Sequence, residues 1–411
     1  MTTALDDFHT RATVLDTADP LRDYPSRFLG SDDPEIVAYL DGNSLGRPTR
    51  ATADRLAAFV TEAWGGRLIR GWDEQWFDLP VRIGERIGAS ILGAAPGQTT
   101  IGDSTTVLLY KLARGALALR PGRTEIVLDR DNFPTDRYLL EAIARELDLT
   151  LRWIEPEFTG GVTAQDVAGA VSERTALVVL SHVAYRSGYL LDAPAICATV
   201  HESGALLLLD LCHSAGAVEI ELDSWGVDFA VGCTYKYLNG GPGAPAFAYV
   251  RTEHLADFSQ PIWGWMGRES PFEMAQGYVP AHGIRRVISG TPAIVGMLPI
   301  EDTLDLIDEV GMAAVRAKSV TLTEFALELV RSWLLPLGVS VSSPTDPDRR
   351  GGHVTIDHPQ FKEITARLWQ RGVIPDFRPP QGIRIGLSPL STTYAEVLAG
   401  VAAIRDELTA R

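Results

Sequence analysis

Between about Thr100 and Val250 short apolar runs alternate with helical patterns, and this alternation restricts the fold more than any other feature of the chain. The strand candidates are Glu125–Leu128, Leu151–Ile154, Ala176–Leu180, Ala205–Asp210, Phe229–Cys233 and Ala246–Val250. They are continuously apolar rather than alternating, as strands buried on both faces are. Helical patterns fall between them at Val107–Leu119, Asp136–Leu147 and Ala193–Glu202. Such alternation predicts an α/β domain with a mostly parallel central sheet and helices on both faces. With 411 residues the chain exceeds the size at which one core stops growing, so a second unit is expected.

The texture changes from Ile294 onward. Helical stretches Ala293–Val310 and Met312–Trp333 precede a Pro- and Asp-rich loop at Ser342–Arg350. Strand-like His353–Ile356, helix Phe361–Arg371, strand Ile383–Leu387 and helix Tyr394–Glu407 follow. The expected division is an N-terminal segment 1–45 associated with the small domain and the active site, a large domain 46–292, and a smaller C-terminal α+β domain 293–411. No repeat or low-complexity linker separates them, so they are expected to pack as one body.

Composition excludes several functions. The formal net charge is −16, from 37 Lys+Arg against 53 Asp+Glu, which argues against a nucleic-acid binder. The longest apolar runs are too short to span a bilayer, and the acidic, polar start shows no secretory signal. Cys197, Cys212 and Cys233 form no C-x-x-C pair, so neither a disulfide framework nor a metal site is expected, and thiols of this kind suit the cytoplasm.

In parallel α/β sheets ligands bind beyond the carboxyl ends of the strands. After "TTIG" come Asp103, Ser104, Thr105 and Thr106 at a helix start, where hydroxyls and free N–H groups can cap the helix or hold a phosphate. After Glu125–Leu128 come Phe133, a proline and Asp136. Asp210 ends a run of four leucines and His213 follows three positions later; a carboxylate placed there needs a partner. After Phe229–Cys233 comes Lys236, between Tyr235 and Tyr237 and ahead of a glycine-rich turn. Singly, these read as a helix cap, a turn and a satisfied core histidine. Together they match the needs of pyridoxal phosphate: a Schiff-base lysine, an acid for the pyridine nitrogen, a stacking aromatic and a phosphate-binding helix start. The P-loop, G-x-G-x-x-G, G-x-S-x-G and H-E-x-x-H patterns are absent.

These segments also carry a resemblance. "YLDGNSLGRP" (39–48), "DSTTVLLYK" (103–111), "NFPTD" (132–136), "LSHVAYRSG" (180–188), "DLCHSAGA" (210–217), "VDFAVGCTYKYLNGGPGAPAF" (227–247), "GWMG" (264–267), "ISGTPAI" (288–294), "GVIPDFR" (372–378) and "RIGLSPL" (384–390) resemble the kynureninase family of fold-type-I pyridoxal-phosphate enzymes, relatives of the class V aminotransferases. The resemblance implies that Lys236 holds the cofactor and shuttles the α-proton, Asp210 pairs with the pyridine nitrogen and Phe133 stacks on the ring. Asp136 and His213 would lie beside the ring. Ser104, Thr105 and Tyr235 would bind the phosphate, joined by Trp265 and Thr291 contributed across a homodimer. Arg384 would hold the substrate carboxylate, with Asn43 and Ser44 on the substrate side. Tyr235 would also relay a proton near the substrate carbonyl.

The implied reaction is hydrolysis of the Cβ–Cγ bond of L-kynurenine, giving anthranilate and L-alanine. Leu108, Arg268 and Ser391 depart from the family pattern, where Asn, His and Tyr are expected. Arg268 stands either at the surface or near a more polar substrate. The alternative reading keeps fold and cofactor but acts on a cysteine S-conjugate by β-elimination or decarboxylative deamination, or transfers an amine.

Overall fold

The computed structural model describes residues 2–410. Its strands are β1 (Ala38–Leu40), β2 (Thr99–Gly102), β3 (Glu125–Asp129), β4 (Thr150–Ile154), β5 (Thr175–Ser181), β6 (Leu206–Asp210), β7 (Phe229–Gly232), β8 (Ala246–Val250), β9 (Ser340–Val341), β10 (His353–Asp357), β11 (Val373–Arg378) and β12 (Gly382–Gly386). Seven of them form a sheet in the order β2-β8-β7-β6-β5-β3-β4. The run from β7 to β4 is parallel; β8 runs antiparallel to both its neighbours. The six expected strands thus all form, each within one residue of its expected ends.

The run of four leucines shows why this sheet is buried on both faces. Leu206 and Leu208 pack with Leu109, Leu112, Leu140 and Ile143 from helices Thr105–Ala118 and Pro134–Leu147. Leu207 and Leu209 face the other way, onto Ile196 and Val200 of helix Ala193–Glu202 and Ile83 and Ile87 of helix Leu79–Ile87. Alternate side chains of one strand therefore feed two apolar layers, and full burial of each leucine contributes about 1.5–3 kcal/mol.

β8 is antiparallel for a reason of connection. A parallel return needs a crossover, usually a helix. The chain from Gly232 to Ala246 has no helix; it is spent on the Lys236 loop and a glycine turn with positive φ at Gly241 and Gly243.

The second sheet has the order β1-β11-β12-β10-β9, with β1 parallel to β11 and the other pairs antiparallel. Ala38 and Leu40 of β1 share a core with Phe325, Ile356, Ile364, Ile385, Val401 and Ile404. Asp16, in the helix Thr2–Ala18, accepts the Tyr394 and Ala395 N–H groups at 2.8 and 2.9 Å. It places a carboxylate at the positive end of helix Tyr394–Thr409. Helix Ile294–Val310 instead sends Met297, Ile300, Leu304 and Ile307 into the core of the large sheet. Among the described residues no helix is long and apolar enough to cross a membrane.

Candidate active site

The carboxyl ends of β3, β6 and β7 and the start of helix Thr105–Ala118 converge on one cavity. Its lining includes Thr105, Thr106, Phe133, Thr135, Asp136, Asp210, Cys212, His213, Tyr235 and Lys236. Seven of these are sequence candidates, from four separate segments that include the lysine loop, so folding collects what the chain order scatters.

Local structure fixes each group. Ser104 caps its helix, its Oγ accepting the Val107 N–H at 3.4 Å. The turn before it has Asp103 at φ +44°, and Asp103 holds the buried Lys111 ammonium at 2.6 Å. Thr105 and Thr106 follow at the helix start, where free N–H groups suit an anion. Asn132 shapes the next loop: its Oδ1 accepts the Phe133 N–H and the Ser181 hydroxyl at 2.8 and 2.9 Å.

Lys236 is 8% exposed, and among the described residues it makes no ion pair. Its Nζ lies 3.3 Å from His213 Nε2 and 5.9 Å from the centroids of Phe133 and Tyr235. The loop is clamped from the N-terminal segment. The Gly46 N–H donates to Tyr235 O at 2.8 Å, and a Cβ at Gly46 would meet Lys236 O at 2.3 Å, so only glycine allows the approach.

Asp210 receives the Cys212 N–H on Oδ1 at 2.7 Å. Asp136 lies beside it; burial pushes the Asp136 carboxyl well up, and the Asp210 charge adds to that. Asp136 therefore holds a proton beside its neighbour. His213 is held well below the ordinary imidazole range, first by burial and then by the Lys236 and Arg384 charges, so it is neutral.

Arg384, on β12, is 1% exposed. Its Nε donates to Asp376 Oδ2 at 2.7 Å, Nη1 to Tyr185 O at 2.7 Å and Nη2 to Ser44 Oγ at 2.9 Å; Nη1 also lies 3.4 Å from His213 Nε2. The arginine thus joins the two sheets beside the lysine. Around it lie unpartnered buried polar groups: Asp41 Oδ1, the Asn43 amide, the Tyr237 hydroxyl and both His353 ring nitrogens. Burial lifts Asp41 to about 6 against the Ser44 hydrogen bond.

Three expected residues stand elsewhere in this chain. Trp265 and Thr291 are exposed, Trp265 resting edge-on against Phe272. Arg268 donates to Ser270 O at 2.7 Å, outside the cavity. Of the other departures, Leu108 is core between helix and sheet, and Ser391 is a buried turn residue whose carbonyl accepts from Arg47.

Sequence reasoning did not single out Thr106, Thr135, Cys212, Tyr185, Asp376, Asp41 or His353 for the site. Tyr185 and Asp376 lie inside the motifs "LSHVAYRSG" and "GVIPDFR", and that was the available signal.

A buried lysine without a counter-ion, paired acids on one side, an aromatic over it and a helix start opposite fit pyridoxal phosphate. Fold and donor set define a fold-type-I enzyme dependent on that cofactor. Solved structures share the fold: a cysteine desulfurase from Thermococcus onnurineus NA1 (TM-score 0.77, 17% identity, covering 90% of this chain and 94% of that one) and a cystine C-S lyase bound to cysteine persulfide (TM-score 0.79, 18% identity, 92% and 99%).

The sequence is more specific. The kynureninase C-terminal domain family matches residues 315–404. Kynureninase from Burkholderia pseudomallei (strain 1106a) is 40% identical over 404 residues, 97% of this chain and 94% of that protein. Kynureninase from Pseudomonas fluorescens is 40% identical over 392 residues, 93% and 91%. The chain belongs to the kynureninase family.

Proposed function

We propose that the enzyme hydrolyses the Cβ–Cγ bond of L-kynurenine to anthranilate and L-alanine. Near-full-length identity to kynureninases carries this reading, and the convergence of Lys236, Asp210 and Arg384 gives it a site.

Bound pyridoxal phosphate supplies an electron sink for charge developing at the substrate Cα. Lys236 would hold it and move the proton at Cα; Asp210 would serve the pyridine nitrogen, with protonated Asp136 beside it. Phe133 would stack on the ring with neutral His213 beside it, and Ser104, Thr105 and Tyr235 would bind the phosphate. Arg384 takes the substrate carboxylate as a bidentate fork, with Asn43 and Ser44 on the same side. Tyr235, whose hydroxyl burial holds above the ordinary phenol range, keeps its proton and can relay it near the γ-carbonyl.

The working form is a homodimer. Gly264 and Gly267 pack against Ser289 O and Ile288 O, which projects Trp265 and Thr291 outward together. Exposed Ile262, Trp263, Phe272, Met274 and Val279, with Val60, Trp64, Leu68 and Ile69, give an apolar surface for a second copy. Trp265, Thr291 and Arg268 would then complete the partner's site. The small unit is built from β1 and the chain from Met312 onward, helix Ile294–Val310 belonging instead to the core of the large unit, and the three free, buried thiols suit the cytoplasm.

Anthranilate release from L-kynurenine, 3-hydroxykynurenine and S-substituted cysteines tests the reading. Anthranilate from kynurenine is expected. Turnover of a cysteine conjugate with none from kynurenine would overturn it.

A further inference from the structure

The reaction leaves Cys212 of the cavity wall, and Cys233 buried behind it, without a task. β6 and β7 run parallel with Asp210 opposite Val231, and the Leu211 N–H extends the ladder to Val231 O at 2.8 Å. Two residues further along each strand, Cys212 comes beside Cys233. Neighbouring strands lie about 4.8 Å apart, within the roughly 4.4–6.8 Å Cα separation that a disulfide spans. Each sulfur also meets the other residue's backbone: the Cys233 N–H donates to Cys212 Sγ at 3.2 Å, and Cys233 Sγ lies 3.8 Å from Cys212 O. Both thiols are free.

Their surroundings differ. Burial pushes the Cys233 thiol up, but the hydrogen bond with Cys212 and the Lys236 ammonium outweigh it and hold the thiol below its ordinary value. Cys212 is held well above, by that same hydrogen bond and by burial. Either sulfur has the other residue beside it, so whichever is oxidised first has a neighbour able to resolve it.

We propose that Cys212 and Cys233 form a thiol–disulfide site that a small peroxide oxidises when the cofactor is absent. One of the two, as its thiolate, attacks a peroxide oxygen; an S–O bond forms, the O–O bond breaks and hydroxide leaves, taking up the thiol proton as water. The other thiol then attacks that sulfur; the S–S bond forms, the S–O bond breaks and a second water leaves. Two thiols and one hydrogen peroxide give one disulfide and two waters.

The position gives the bond its effect. Cys212 lines the cavity, its Sγ is 4.0 Å from Thr105 Oγ1, and its N–H holds the Asp210 carboxylate. Cys233 begins the loop that carries Tyr235 and Lys236. Drawing the two together pulls on the acid and the lysine at once. A bound cofactor covers the same wall, so loading protects the thiols and oxidation blocks loading.

The test treats the full chain, with and without pyridoxal phosphate, with one equivalent of hydrogen peroxide, then alkylates and maps peptides by mass. The cofactor-free chain is expected to give a Cys212–Cys233 cross-linked peptide with Cys197 still alkylated. Cofactor uptake should fall at least tenfold and return with dithiothreitol, and the loaded chain should cross-link at least tenfold more slowly. In Cys212→Ala the product should stop at a Cys233 sulfenic acid trapped by dimedone, a readout that needs no catalysis. Free Cys212 and Cys233 after oxidation, or equal rates with and without cofactor, would overturn the proposal. The mapping holds whichever substrate the enzyme turns over.

Discussion

Replacing Arg384 with lysine isolates the geometry of the fork, because charge is kept and shape is lost. The guanidinium is 1% exposed and points separate nitrogens at Asp376, the Tyr185 carbonyl and the Ser44 hydroxyl. A lysine ammonium is a single atom on a flexible stem and can satisfy one of those directions. It keeps Asp376 from being left as an unpaired charge, so the fold survives. The lost hydrogen bonds are expected to cost about 2–4 kcal/mol of stability. At the substrate, one of two parallel charge-assisted bonds disappears, worth about 1.5–3 kcal/mol, or about 10- to 150-fold in kcat/KM. The carboxylate contact is the same before and during bond cleavage, so the loss should appear chiefly in KM. Steady-state kinetics with L-kynurenine at saturating cofactor, alongside a thermal melt and the visible cofactor absorbance, measure all three. Kinetics within twofold of the parent, with cofactor bound, would show that the carboxylate binds elsewhere.

Gly46→Ala should displace the lysine loop, since the added Cβ meets Lys236 O at 2.3 Å; cofactor retention on dialysis should fall at least tenfold, and unchanged retention would refute the clamp. Asp136 has its folded pKa raised by burial and by Asp210, so the stability it lends is complete below about pH 4 and is lost as pH rises. Cofactor-free Asp136→Asn should therefore melt with the parent near that pH and above it at neutral pH; a falling difference would contradict the protonated state. His201 is lifted to about 10 by its hydrogen bonds to Asp228 and Cys197, while Asp228 is kept at about 2 because its imidazole partners outweigh burial. The histidine's contribution is complete below about pH 6.5 and lost as pH rises through about 10. The melting deficit of His201→Gln should be largest near pH 6 and fade above pH 10, and a deficit independent of pH would exclude the charge pair.

The large sheet was legible because its strands are buried on both faces, and a run such as Leu206–Leu209 has few other homes. The meeting of Lys236, Asp210 and the start of helix Thr105–Ala118 was legible for a related reason: polar residues directly after such runs must sit at the sheet's carboxyl edge. β2, "TTIG", was missed as a strand because its apolar content is a single isoleucine; its burial comes from helix Leu79–Ile87, where Gly84 lies against Thr100. β1 and β11 were hidden too, three and six residues long, with an internal proline in β11. The web around Arg384 draws on Ser44, Tyr185, His213 and Asp376, and no local pattern encodes a meeting of four distant segments. The surface bearing Trp265 and Thr291 is legible in motif alone, since the use proposed for it depends on a second copy.

The pairing of Ala38 with Val373 has a bearing on how the chain is made. Synthesis at about 5–20 residues per second puts tens of seconds between the emergence of β1 and of the strand it needs. Throughout that interval Ala38 and Leu40 have no sheet to join, and Asp16 has no helix end to hold. The nascent N-terminus must therefore wait beside a large sheet that is already able to close. A ribosome that stalls before β11 would release a protein with Lys236 in place, Arg384 missing and an apolar N-terminal edge exposed to other chains.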